Sequence, residues 1–233
     1  MLSSKKTYPL KDLERKIKIN FKNPSLLETA FVHRSYVNEH KSEDLSHNER
    51  LEFLGDAVLE LVTTEFLYEA FPNEEEGKLT NFRSALVKGN HLAKVAHELE
   101  LGQYLKLSRG EEKSGGRAKN YLLANTLEAL IGAIYLDRGF VHAHKFISRY
   151  ILTNLGEILK KGLHIDSKSH LQEFSQDKHG GPPTYTVLSE SGPDHNKVFE
   201  IAVFIGEKML AKGTGSSKQK AEQDAAVNAL KNN

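Results

Sequence analysis

Residues 47–62, His-Asn-Glu-Arg-Leu-Glu-Phe-Leu-Gly-Asp-Ala-Val-Leu-Glu-Leu-Val, form the most apolar helix-length window of the chain, yet they carry Glu49, Glu52 and Asp56. On a helix turning about 100° per residue these acids fall at about 0°, 300° and 340°, one narrow stripe. Leu51, Phe53, Leu54, Ala57, Val58, Leu59, Leu61 and Val62 cover the rest of the circumference. A helix apolar nearly all round is expected to be buried. Carboxylates in such a helix are costly unless they are paired or bind a metal ion. The chain must therefore bury this helix on most sides and still give its acids a partner.

The remainder of the sequence has room for that. Its 233 residues suffice for one large or two ordinary domains, and 39% hydrophobic with 27% charged residues suits a globular protein with a sizeable core. The formal net charge is only +1, so any anion-binding surface must be local. Cysteine is absent, which excludes disulfides and thiolate metal sites. No apolar run follows Met1-Leu2-Ser3-Ser4-Lys5-Lys6, and none approaches the roughly 18 residues of a membrane span. No secretory signal, no membrane contact and a cytoplasmic location are expected.

The first two thirds read as helix throughout. Residues 10–19 give at best a short surface helix. Asn23-Pro24-Ser25 starts another, which His33-Arg34-Ser35-Tyr36 is expected to close, and His33 alone reads as a polar helix end. Residues 37–47 are loop-like, with Ser46 or Asn48 as the cap of the central helix. Helical spacing resumes at 78–88 and 90–99. In Ser108–Asn120, Arg109, Lys113, Arg117 and Lys119 are interleaved with Gly110, Gly115 and Gly116, a flexible loop and at most a weak phosphate-contacting signal. Residues 121–136 form a second nearly all-apolar helix, with Asn125 and Glu128 on one face, and 140–159 a last amphipathic one.

After Lys160 the character changes. A linker is expected at 161–166, between an all-α domain over 1–160 and an α+β domain over 167–233. Ser169–Lys178 reads as a helix, and Thr184–Ser189, Val198–Ile205 and Met209–Thr214 as strands with period-two alternation. Gly192-Pro193-Asp194 and Gly206-Glu207 are turn signals, and Ser217–Leu230 is an alanine-rich helix. The order α-β-β-β-α makes a small separate domain.

The stretch His47-Asn48-Glu49-Arg50-Leu51-Glu52-Phe53-Leu54-Gly55-Asp56 resembles the signature of the ribonuclease III family almost letter for letter. Supporting matches are His33-Arg34-Ser35, Glu76-Gly77 with Arg83-Ser84-Ala85-Leu86-Val87, and Glu128-Ala129-Leu130-Ile131-Gly132. The C-terminal domain resembles a double-stranded-RNA-binding domain through Leu171-Gln172-Glu173, Gly192-Pro193-Asp194-His195, and Gly213-Thr214-Gly215-Ser216-Ser217-Lys218. This resemblance implies an all-α endonuclease domain that dimerises with a copy of itself, Phe53 at the interface. It also implies Mg²⁺-dependent hydrolysis of double-stranded RNA, with Mn²⁺ as a substitute, leaving 5′-phosphate and 3′-hydroxyl ends in rRNA and mRNA processing, without an organic cofactor. Carried over by position, Glu52, Asp56 and Glu128 are metal ligands, Asp56 and Glu128 at the catalytic centre, with Glu49 and Glu76 in supporting roles. Where the family has Asp, this chain has Asn125, whose amide offers an oxygen without a charge.

The chemistry points the same way independently of the family. Hard oxygen donors favour Mg²⁺ or Mn²⁺ over zinc. Bare carboxylates in a cluster raise one another's pKa, and a divalent ion removes the conflict. Either Glu49 or Glu52 alone reads as an ion pair with Arg50, Arg83 or a lysine; three acids on one face with Glu128 in a second apolar helix favour a metal. A different all-α metal phosphohydrolase would show His-Asp metal pairs, which are not found. Duplex RNA is read by shape and backbone. Gln172 and Glu173 are expected in one minor groove, Pro193, Asp194 and His195 in the next, and Ser216, Ser217, Lys218 and Lys220 on phosphate at a helix start. From charge alone that lysine pair reads as a solvated helix start, and Gln219 stands where many relatives carry a basic residue. The alternative function is a duplex-RNA-binding protein whose catalysis is weakened or lost through Asn125.

Overall fold

The computed structural model describes residues 9–43, 45–160, 167–193 and 197–231. The chain divides into two compact units, Met1–His164 and Ile165–Asn233. The expected linker at 161–166 lies outside the described residues.

In the first unit the described helices are α1 (Leu10–Ile17), α2 (Pro24–Ala30), α3 (Arg34–Glu39), α4 (Glu49–Ala70), α5 (Glu76–Val87), α6 (Gly89–Glu98), α7 (Arg109–Lys113), α8 (Asn120–Arg138), α9 (Phe140–Tyr150) and α10 (Leu155–Lys160). The centre is α8, whose residues 122–124, 126, 127 and 129–134 are all buried. Its neighbours are α4, α6, α9 and α2. A helix without a polar face can only be stable when wrapped in this way. Gly139, at φ +79°, ends it in a conformation that suits glycine. Among the described residues no helix is long and apolar enough to cross a membrane.

Several local expectations are corrected. Residues 10–17 form more than a surface helix, because Leu13 and Ile17 belong to the core. His33 does not close α2; it opens α3, its Nδ1 accepting from the Ser35 amide at 3.3 Å. Asn48 occupies the position before α4 without capping it through its side chain. It is instead buried, donating through Nδ2 to Ala30 O at 3.3 Å and through its amide to Val32 O at 2.9 Å. The helix expected over 140–159 breaks at Ile151, where a 3-10 turn at Leu152–Asn154 separates α9 from α10. That break turns Ile151, Leu152 and Leu155 all into the core.

The second unit has α11 (Ser167–His179), β1 (Thr184–Ser191), β2 (Val198–Ile205), β3 (Lys208–Gly215) and α12 (Lys218–Lys231), with an antiparallel sheet in the order β1-β2-β3. Gly206, at φ +57°, takes the first central position of the two-residue turn between Ile205 and Lys208. Leu171, Val203, Ala211, Ala225, Ala226 and Ala229 form the core. The alanines serve close approach: a Cβ on Gly213 would lie 2.0 Å from Ala225 N.

Candidate active site

The site is built where α4 crosses α8. A Cβ on Gly55 would lie 1.8 Å from the Glu128 carbonyl oxygen, and one on Gly132 would lie 2.2 Å from the Leu51 carbonyl oxygen. The two helices therefore touch backbone to backbone, which only glycine permits. Glu52 and Asp56 flank Gly55 on α4, while Asn125 and Glu128 precede Gly132 on α8. The crossing brings both sets of polar residues together.

Their electrostatics follow from that placement. Burial pushes the Glu128 carboxyl up to about 7, and the charges of Asp56 and Glu52 add to the rise. Burial also raises Glu52, helped by the charges of Glu49 and Asp56 and opposed by a hydrogen bond from the Asn125 side chain. Asp56 is exposed. Negative charge thus accumulates without a cation beside Glu52 or Glu128 among the contacts of the described residues. Three carboxylates and an amide oxygen are a donor set that suits a hard divalent ion. Among the described residues no three Asp, Glu or His groups converge closely enough to chelate an ion as they stand.

The other expected residues distribute differently. Glu49 pairs with Arg34 at 3.4 Å and lies 3.7 Å from His47 Nδ1, so its cation is Arg34 rather than Arg50 or Arg83. Arg83 instead pairs with Glu60 at 3.1 Å. A cavity of about 210 Å³ beside the acids is lined by His33, Arg34, Glu49, Glu52, Tyr121 and Asn125, among others. Burial lowers the His33 pKa there. Glu76 is not brought to Asp56 within this chain. It accepts from Thr80 Oγ1 at 2.9 Å and lines a cavity of about 400 Å³ with Leu67, Tyr68 and Leu79. Phe53 is not packed in the core: it is 81% exposed, and Leu61 and Tyr68 are also exposed on α4.

The basic segment 108–120 is folded, not a flexible loop. Ser108 caps α7 through Oγ, accepting from the Glu111 amide. Arg117 pairs with Glu112 at 2.8 Å and donates to Gly102 O at 3.0 Å, and Lys119 pairs with Glu111 at 2.7 Å. Arg117 and Lys119 therefore serve the fold, whereas the Arg109 side chain and Lys113 are exposed. In the second unit Gln172 and Glu173 are exposed on α11, and Pro193 is exposed. Asp194 and His195 lie outside the described residues. Ser217 Oγ accepts from the Lys220 amide at 3.3 Å, and Lys220 Nζ donates to Ser216 Oγ at 3.1 Å, which orders the start of α12.

A family model described as Ribonuclease-III-like matches residues 23–155. The chain belongs to the ribonuclease III family. A second family model, Double-stranded RNA binding motif, matches residues 167–233. Ribonuclease 3 of Desulforamulus reducens is 46% identical over 92% of this chain and 88% of that relative. Ribonuclease 3 of Streptococcus equi subsp. zooepidemicus is 44% identical over 94% of each. The solved nuclease domain of ribonuclease III from Campylobacter jejuni matches with a TM-score of 0.58 at 41% identity, covering 63% of this chain and 98% of that one. The chain is thus an endoribonuclease acting on double-stranded RNA, of a family that depends on divalent metal, with a helical endonuclease domain followed by an α-β-β-β-α RNA-binding domain. Nothing in the comparisons favours a binding protein that has lost catalysis.

In the sequence Gly55 and Gly132 stand only as letters of a motif. Their structural role was signalled by glycines in the middle of two helices otherwise rich in Leu, Val and Ile, where glycine costs about 1 kcal/mol relative to alanine.

Proposed function

We propose that Glu52, Asp56 and Glu128, with the side-chain oxygen of Asn125, hold Mg²⁺, or Mn²⁺ in its place, and that a homodimer of this chain cleaves duplex RNA to 5′-phosphate and 3′-hydroxyl ends in rRNA and mRNA processing. The observation that supports this most is the coupling of Glu128 to Asp56 and Glu52 across the glycine crossing. A bound divalent ion would neutralise charge at the phosphate and lower the pKa of an attacking water. Asn125, its NH₂ turned to Glu52, orients that carboxylate and leaves its own oxygen as a donor. Arg34 holds Glu49 at the rim. Residues Gln172, Glu173, Pro193, Ser216, Ser217, Lys218 and Lys220, with Asp194 and His195, bind the duplex.

Homodimerisation is supported by the exposed stripe on α4. Phe53 and Tyr68 are 81% and 74% exposed and lie on either side of Leu61, itself 58% exposed. An isologous contact about a two-fold axis near Leu61 sets Phe53 against the partner's Tyr68. Beside Tyr68 lies the cavity lined by Leu67, Leu79 and Glu76. The same pairing accounts for Glu76, which sits beside Tyr68, about 18 Å along α4 from Asp56. It would serve the neighbouring copy's acids. Phe53→Ala should shift the protein toward monomer in sedimentation; an unchanged dimer would refute the placement.

The central test is incubation of the unaltered chain with a long RNA duplex and Mg²⁺. Short duplex products with 5′-phosphate and 3′-hydroxyl ends are expected. Glu128→Ala should abolish cutting and leave binding within about twofold. If the unaltered chain binds duplex but cuts in neither Mg²⁺ nor Mn²⁺, the assignment of Asn125 as a working ligand fails, and Asn125→Asp should then restore cleavage.

A further inference from the structure

Residues 166–233 carry eight lysines and no arginine against nine acids, so the affinity of this unit for a polyanion depends on where each lysine stands. Lys218 opens α12, and because Gln219 follows it, Lys218 and Lys220 are the cations of its first turn. Lys218 is not directed only at solvent. Its Nζ lies 3.0 Å from a carboxylate oxygen of Glu190 and 5.8 Å from the centroid of the Phe199 ring. Glu190 on β1 and Phe199 on β2 are cross-strand partners, so both side chains rise from one rung on one face of the sheet. The other Glu190 oxygen lies 3.5 Å from Lys197 Nζ. One carboxylate therefore bridges two lysines that the chain delivers from different directions. The side chains of Lys218 and Glu190 are 57% and 35% exposed, within reach of a ligand from solution.

We propose that Glu190 sets the affinity of this protein for duplex RNA by holding Lys218 against the sheet and competing with RNA phosphate for it. This rests on the reading that the start of α12 contacts the RNA backbone. Carboxylate and phosphate are the same kind of partner for an ammonium group, an oxyanion accepting a charge-assisted hydrogen bond. A lysine already neutralised by Glu190 adds little to the counterion release that drives polyanion binding. RNA must displace Glu190 or accept a cation that is half compensated. The contact is exchangeable, since exposed ion pairs are weak. Lys218 and Lys197 together hold the Glu190 carboxyl below the usual range, so the competitor is charged at neutral pH. Lys220, which turns to Ser216 instead, carries no such penalty.

The test measures binding of a catalytically silent full-length chain, carrying Glu128→Ala, to a short RNA duplex across a series of salt concentrations. Glu190→Gln should tighten binding about two- to fivefold at low salt, the range expected for releasing one exposed pair. The dependence of log affinity on log salt should steepen by roughly one unit or less. Glu190→Ala should do the same, which guards against a fold defect in either variant. Lys218→Gln should weaken binding, and adding Glu190→Gln to it should give no gain. If Lys218→Gln weakens binding but neither Glu190 variant tightens it, the competition is overturned while the RNA contact stands. Weaker binding on loss of Glu190 would mean that it buttresses Lys218 and likewise overturns the proposal. If Lys218→Gln has no effect, the contact reading and the proposal fall together.

Discussion

Replacing Gly55 by alanine tests whether the α4–α8 crossing holds the site. The added Cβ would sit 1.8 Å from Glu128 O, 2.7 Å from Glu128 C and 2.9 Å from Gly132 N. To reach a tolerable 3.0 Å from that oxygen, one helix must retreat by about 1.2 Å, because the obstacle is backbone and cannot rotate away. Overpacking of this kind costs about 1–3 kcal/mol, occasionally more, while alanine returns about 1 kcal/mol of helix propensity. With a backbone obstacle the upper end of that range applies, so a net loss of about 2 kcal/mol is expected, a fall of roughly 4–8 °C in the melting temperature. The retreat also carries Glu128 away from Glu52 and Asp56, and a misplacement near 1 Å costs about 100-fold in rate. Melting curves with and without Mg²⁺, followed by kcat/KM on a duplex, measure both effects. Gly132→Ala should behave alike. Gly156→Ala, whose Cβ meets nothing within 4 Å, serves as the control and should be neutral or slightly stabilising. A Gly55→Ala protein with unaltered melting temperature and activity would refute the reasoning.

Two further outcomes follow from the same geometry. Glu128 has a folded pKa of about 7 against an unfolded 4.5, so in chelator the folded state loses stability as pH rises from about 4.5 and has lost all of that contribution above about 7. Glu128→Gln should therefore stabilise the metal-free protein on the order of 1–2 kcal/mol at pH 8, partial exposure discounted, and hardly at all at pH 4.5; urea titrations showing equal gain at both pH values would contradict this. Arg117→Ala removes the Glu112 pair and the bond to Gly102 O, and should cost about 1–3 kcal/mol in stability. The salt slope of RNA binding should be unchanged by it, whereas a phosphate contact would lower the slope by about one unit.

The sequence carried the site further than it carried its surroundings. Glu52, Asp56 and Glu128 were legible because carboxylates in nearly all-apolar helices contradict their setting, and such a conflict is local enough to read in a single window. The strands from Thr184 onward were legible because periodicity changes there from 3.6 to two. Features that depend on distant partners were not legible. Lys119 looks like a free cation until Glu111 is found beside it, and Asn48 looks like a cap until Ala30 O is found within reach. On α4, periodicity alone does not separate an apolar side facing the core from one left exposed, such as that of Phe53 and Leu61. In the second unit, the pairing of Lys218 with Glu190 depends on β1 and β2 lying in one register.

The α4–α8 crossing also has a consequence during synthesis. Asp56 and Glu128 are seventy-two positions apart, and the acidic site stays incomplete until α8 has been made. At about 5–20 residues per second, the ribosome needs roughly 4–14 s to add that length. Throughout that interval α4 lacks α8, one of the helices it packs against, so part of its apolar surface has no cover yet. The glycine seam that holds the site together thus joins two helices that the ribosome delivers several seconds apart.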